Sequence, residues 1–212
     1  MSTEQKDKLL FVSTIILVVI HLAGILGIRS VYHDLFLLLS PLNLMISSFL
    51  LFLNHKDFNK HFYLFMLLCF FTGFSVEVAG VYTGQIFGEY SYGNTLGYKL
   101  LNVPVIIGLN WLMLVYSVGI ICHQVKVNKY IKSLMGAGLL VILDFFIEPV
   151  AIKYDFWSWT HNQVPIQNYI AWFITAFLLL LLFNNLKFNK TNRLAKTMYI
   201  IQLVFFVLLS VF

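Results

Sequence analysis

The chain has 212 residues, 60% of them hydrophobic and only 11% charged, with a formal charge of +5 and a mean hydropathy of +0.85. A soluble globular domain carries about 25% charged residues, so the polar surface needed to face water is missing. Strict apolar/polar alternation is also absent, which argues against a membrane β-barrel and leaves an all-α, polytopic membrane helical bundle.

Seven spans are predicted, most of them near the 20 or so residues a helix needs to cross about 30 Å of hydrocarbon. The first, 9–28, follows a short Lys-bearing N-terminus. It is longer than the apolar region of a signal peptide, about 7–15 residues, and shows no clear small-x-small cleavage site, so it reads as a retained span. His21 lies past its middle. The second, 33–53, contains Pro41-Leu42-Asn43, and the third, 61–81, carries Glu77 in its last turns. The 82–99 link holds Tyr82, Thr83, Phe87, Tyr90 and Tyr92 among Gly84, Gly88 and Gly93. Glycines permit tight turns and the rings supply apolar faces, whereas a disordered link would be more polar. A folded cap returning into the mouth of the bundle is expected there.

The fourth span, 100–122, has Asn110-Trp111 midway, and the fifth, 130–152, carries Asp144 and Glu148 four residues apart on one helix face. Trp157 and Trp159 flank Ser158 in the next link, where an interfacial aromatic belt would also account for them. The sixth span, 165–185, opens with Asn168 and Trp172, again four apart, and the seventh is 195–212. Repeats and low-complexity tracts are not seen, so residues 1–212 read as a single transmembrane helical domain. Cys69 and Cys122 lie far apart in apolar runs and read as packing residues.

Lys and Arg give the orientation. With the N-terminus inside, eleven basic residues fall on inner segments and only Arg29, Lys99 and Lys153 on outer ones, a strong positive-inside bias. The C-terminus is then outside. The net positive charge is accounted for by topology and an anionic inner leaflet, and nothing points to nucleic acid. The expected location is a bacterial cytoplasmic (inner) membrane, crossed many times.

Carboxylates inside a membrane are costly and call for an explanation. Spans three and five both run outward, so Glu77, Asp144 and Glu148 reach one depth, near the outer end. A carboxylic acid that keeps its proton in a dry site can donate it, and an ionised neighbour can accept one. A non-chemical alternative is that they hydrogen-bond to Tyr, Trp or backbone at a wet helix end. His21, Asn43, Tyr82, Thr83, Phe87, Tyr90, Tyr92, Asn110, Trp111, Trp157, Trp159, Asn168 and Trp172 are the candidate lining of a pocket around them, although His21 taken alone is more often a satisfied core histidine.

Several segments together resemble the membrane carotenoid biosynthesis family that includes the carotenoid 1,2-hydratases of the bisanhydrobacterioruberin hydratase type. The resemblance rests on the run from Glu77 to Gly84, on Phe87-Gly88-Glu89-Tyr90-Ser91-Tyr92, Leu96-Gly97, Val103-Pro104 and Asn110-Trp111, and then on Asp144, Glu148-Pro149, Trp157-Ser158-Trp159, and Val164-Pro165 with Asn168 and Trp172. Pro41-Leu42-Asn43 also fits. Glu148 stands where Asp is usual before the proline, Ala171 where Gly is usual, and Gly108 where Pro is common.

The resemblance implies a cofactor-independent enzyme that adds water to the terminal C=C of an acyclic carotenoid end. One of Asp144 and Glu148 would be the acid and Glu77 would position water, or the roles would be exchanged. No metal, nucleotide or flavin is expected. The expected partners are a long polyene substrate, the lipid bilayer and other carotenoid-pathway enzymes. The alternatives are a carotenoid cyclase using the same acid-initiated cation and a non-catalytic carotenoid-binding or transport partner. A retinal protein is disfavoured because the last span has only Lys196, at its inner edge.

Overall fold

Short polar side chains set where the helices begin. Ser2 and Gln5 form a reciprocal capping box at α1 (Thr3–Ile28), Asn59 accepts the His61 and Phe62 N–H groups at the start of α4 (Lys60–Thr83), and Asn128 accepts that of Ile131 at α6 (Lys129–Lys153). The remaining helices are α2 (His33–Leu38), α3 (Ser40–Leu53), α5 (Ile106–His123), α7 (Ile166–Asn185) and α8 (Arg193–Val211). The computed structural model describes residues 2–160 and 162–211. Met1, His161 and Phe212, which the expected domain, the 153–164 link and the last expected span include, lie outside the described residues.

The all-α polytopic membrane bundle expected from composition is the architecture observed. Among the described residues, six helices, α1 and α4 to α8, are long and apolar enough to cross a membrane. The expected span at 33–53 differs: it breaks into α2 and α3 around Leu39. Pro41 sits in the first turn of α3, where its missing N–H costs nothing and its fixed φ favours a helix start. With 14 residues, α3 is about 21 Å long at 1.5 Å per residue, shorter than the hydrocarbon layer. It still runs back along α1, since Asn54 just past its end donates to Ser13 Oγ near the start of α1 (2.9 Å).

Helix α5 is the axis of the bundle, buried over most of its length and packed by α3, α4, α6, α7 and α8. Gly73 of α4 is what lets it approach: a Cβ there would lie 2.5 Å from that of Trp111. Beyond the helices, β2 (Lys99–Leu100) and β3 (Val103–Pro104) form a hairpin through Leu101 and Asn102, both at positive φ.

The two ends of the bundle are closed differently. At one end lies the 84–105 segment, a cap that folds back over α4, α5 and α6 as expected. At the opposite end a small buried network ties two links together. His55 Nδ1 accepts from Tyr116 Oη (2.7 Å) and its Nε2 donates to the Asp57 carbonyl (2.8 Å). Asn192 Nδ2 donates to Tyr116 Oη (3.2 Å) and to the Leu51 carbonyl (2.8 Å). The His55 ring stacks on Phe62 with centroids 3.8 Å apart.

Candidate active site beneath the aromatic cap

Two short strands separated by a long stretch of chain build the cap. β1 (Tyr90–Tyr92) pairs antiparallel with β4 (Trp157–Trp159), in the register Tyr90 to Trp159, Ser91 to Ser158 and Tyr92 to Trp157. Because side chains alternate across a strand, both serines face outward and all four rings face the bundle. Gly93 makes the close pairing feasible: its N–H donates to the Phe156 carbonyl, and a Cβ would fall 2.0 Å from the Asp155 carbonyl oxygen. Lys99 Nζ donates to the Tyr92 carbonyl (2.6 Å) and holds the strand from outside.

The four rings end on two carboxyl groups. Glu77 Oε2 accepts from Tyr90 (2.6 Å) and Tyr92 (2.8 Å), and its Oε1 accepts from Trp111 Nε1 (3.0 Å). Glu148 Oε2 accepts from Trp159 Nε1 (2.8 Å) and Trp157 Nε1 (3.1 Å). Pro149 follows directly inside α6 and removes a backbone N–H from the helix at this point. The amide nitrogen of Asn168, in the first turn of α7, donates to Glu148 Oε1 (3.0 Å) and to Asp144 Oδ2 (2.9 Å). Asp144 Oδ1 is buried and has no partner among the described residues. Burial first, and then the neighbouring Glu77 carboxyl, push the Tyr90 and Tyr92 phenols well above the usual tyrosine range, so both remain hydroxyl donors.

All three acids are removed from solvent, with Glu77 4%, Asp144 0% and Glu148 1% exposed. Glu77 and Glu148 line one cavity of about 20 Å³, walled by Phe87, Trp111, Trp157, Trp159 and Trp172. That is space for about one water, which needs roughly 10–15 Å³. Trp111 and Trp172 stack with centroids 4.2 Å apart along one wall. Asp144 does not line the cavity; it lies one turn of α6 away, reached through Asn168.

Of the other expected lining residues, Asn110 lies between this cavity and a second one, of about 70 Å³, that His21 and Asn43 also line. Tyr82 and Thr83 do not join the site. Tyr82 is 61% exposed, and Thr83 Oγ1 is spent locally, donating to the Ala79 carbonyl (2.6 Å) and accepting from the Gln85 N–H (3.2 Å) at the end of α4. Trp157 and Trp159 serve as carboxyl donors and not merely as an interfacial belt. Sequence reasoning passed over Gln202, which donates to His21 Nε2 (3.2 Å) while His21 Nδ1 donates to the Leu17 carbonyl (2.8 Å). An amide within an apolar span was the available signal.

The three acids and the aromatic cap all fall within the match to a known family. The family model described as "Carotenoid biosynthesis protein" matches residues 32–212. The chain belongs to that family. It is similar to a bisanhydrobacterioruberin hydratase from Haloarcula japonica, with 29% identity over 119 residues, covering 52% of this chain and 41% of that relative. The chain thus aligns with less than half of the relative's length. No solved structure matches the chain. The family match and the six long apolar helices together describe a multi-pass membrane protein of carotenoid biosynthesis.

Proposed function

We propose that this protein hydrates the terminal C=C of an acyclic carotenoid end. The observation that carries the reading is the pair Glu77 and Glu148 on one solvent-shielded cavity, each held by donors from the aromatic cap. A proton carried by the Asp144–Glu148 pair passes to the CH carbon of the isopropylidene end, and the π electrons form that new C–H bond. The adjacent carbon becomes a tertiary cation. Aromatic faces such as those of the Trp111–Trp172 stack stabilise it, by about 2 kcal/mol or more when desolvated. A water in the cavity bonds to the cationic carbon and releases a proton to Glu77. The product is a tertiary alcohol, one water heavier, and a proton returning from Glu77 to the pair resets the site. The chain's own acids supply both proton steps.

The Lys and Arg bias supports an N-terminus on the cytoplasmic side of a bacterial inner membrane, which puts the cap and the acids toward the outer face. The test is co-expression in a lycopene-accumulating bacterium with mass analysis of the pigments. The expected result is a gain of one or two waters, abolished by Glu77→Ala, Asp144→Ala and Glu148→Ala in protein that still reaches the membrane. An isomeric, cyclised pigment would replace hydration by cyclisation. Unchanged pigment with folded protein, or full turnover in all three alanine variants, would overturn the reading.

A further inference from the structure

The cavity that Glu77 and Glu148 share is closed over by the cap, so a long apolar chain needs another way in. Two further cavities continue from it. The one of about 70 Å³ shares Ile107, Asn110 and Trp157 with the acid cavity. A third, of about 190 Å³, shares Ser40, Asn43 and Phe205 with the second and is also bounded by Ile20 of α1, by Leu39 at the break and by Leu42 of α3. Their volumes fall toward the acids, from about 190 through 70 to 20 Å³.

We infer that this series is a lateral channel through which the isoprenoid end of the substrate passes from the lipid to the acids, between α1, α3 and α8. The inference rests on the carotenoid reading of the site and adds the route and the face of the bundle that meets the substrate. Its mouth lies where the expected 33–53 span is broken: α3 begins only at Ser40, and ahead of it Phe36 of α2 and Leu39 at the break line the third cavity. The wall chemistry suits an apolar chain, since isoleucine, leucine and phenylalanine make most of it.

Polar groups along the way are few and incompletely used. Asn43 Oδ1 accepts from Ser47 (3.1 Å), and among the described residues its amide nitrogen makes no hydrogen bond. The Gln202 nitrogen is taken by His21, while its oxygen is left over. Asn110 stands where the channel meets the acids. Uncommitted amides in an apolar wall hold water or a ligand oxygen, which provides for the water that hydration consumes without wetting the whole channel.

The neck is testable at Ser40. Ser40→Cys is nearly isosteric and places a thiol at the start of α3, where helix N-termini favour thiolate reactivity, whereas Cys69 and Cys122 are buried. Membranes holding the full-length variant are treated with a membrane-permeant N-alkyl maleimide, with and without preloaded lycopene. Labelling should cut carotenoid conversion at least tenfold relative to the same variant unlabelled. It should leave wild type treated in the same way unchanged, and lycopene should slow the labelling. A thiol that does not react, labelling that lycopene does not slow, or labelled variant that converts as before would overturn the channel. Protection by lycopene in a protein that converts no pigment would keep the channel and sink the hydration reading. Conversion that survives labelling would do the reverse.

Discussion

Tyr90 and Trp159 stand opposite each other across β1 and β4, with ring centroids 5.1 Å apart, and each donates to a different buried acid: Tyr90 to Glu77 and Trp159 to Glu148. One rung of a three-residue ladder therefore sets the positions of two carboxyl groups that belong to different helices. The next rung on the same face, Tyr92 with Trp157, repeats the arrangement.

The ladder predicts a sharp contrast between its two faces. Tyr90→Phe and Trp159→Phe keep an aromatic ring and remove one donor from a buried carboxyl, a loss of about 1–3 kcal/mol. If the loss falls on the transition state, conversion drops roughly 5- to 150-fold, at about 1.4 kcal/mol per tenfold. Ser91→Ala with Ser158→Ala, on the outward face, should stay within about 0.5 kcal/mol of wild type. Pigment conversion normalised to protein in the membrane checks both, and an equal fall from the serine pair would mean that the ladder acts only as a scaffold.

Glu77, Asp144 and Glu148 were legible in the sequence because charge inside an apolar span is conspicuous, and the direction of each span placed them at one end. The Tyr and Trp donors were legible as residues but not as a ladder. Two three-residue segments are too short to show a period of two, and nothing local says that Tyr90–Tyr92 pairs with Trp157–Trp159 rather than lying in an interfacial belt. The break at Leu39 was hidden for a different reason. Summed hydropathy over 33–53 satisfies a span, and the effect of Pro41 in a first turn is a dihedral constraint that such a sum does not contain. Gln202 obeyed the same rule as the acids, but an uncharged amide costs less in a membrane and stands out less. Tyr82 and Thr83 drew attention by adjacency to the motif, and α4 ends with both of them pointing away.

Asn168 separates stability from activity. Its one amide nitrogen bridges Asp144 and Glu148 at 2.9 and 3.0 Å, so Asn168→Leu leaves two buried acids without that donor. A melting temperature in detergent lower than wild type by several degrees and a loss of conversion are expected together. Adding Asp144→Leu removes one of the stranded groups, and replacing both partners of a buried polar contact by apolar ones is often nearly neutral. The double variant should therefore regain most of the stability and none of the activity. Recovery of both would show that Asp144 takes no part in the chemistry.

The opposite end of the bundle carries its own titration. Burial lowers the pKa of His55 from the usual 6.5, opposed by its hydrogen bond to the Asp57 carbonyl and by the charge of Asp57. The folded state therefore holds the neutral ring, with Nε2–H on that carbonyl and Nδ1 taking the Tyr116 hydroxyl. Above 6.5 the ring is neutral in both folded and unfolded chains, and its contribution to stability is fully present. As pH falls below 6.5 the unfolded chain binds the proton first, and stability is lost progressively until the folded-state value is passed. Glutamine can offer one donor and one acceptor without titrating, so His55→Gln should flatten that part of the profile. Thermal melts in detergent from neutral to mildly acidic pH check this: the wild-type melting temperature should fall more steeply than that of the variant. Parallel curves would place the acid sensitivity elsewhere in the bundle.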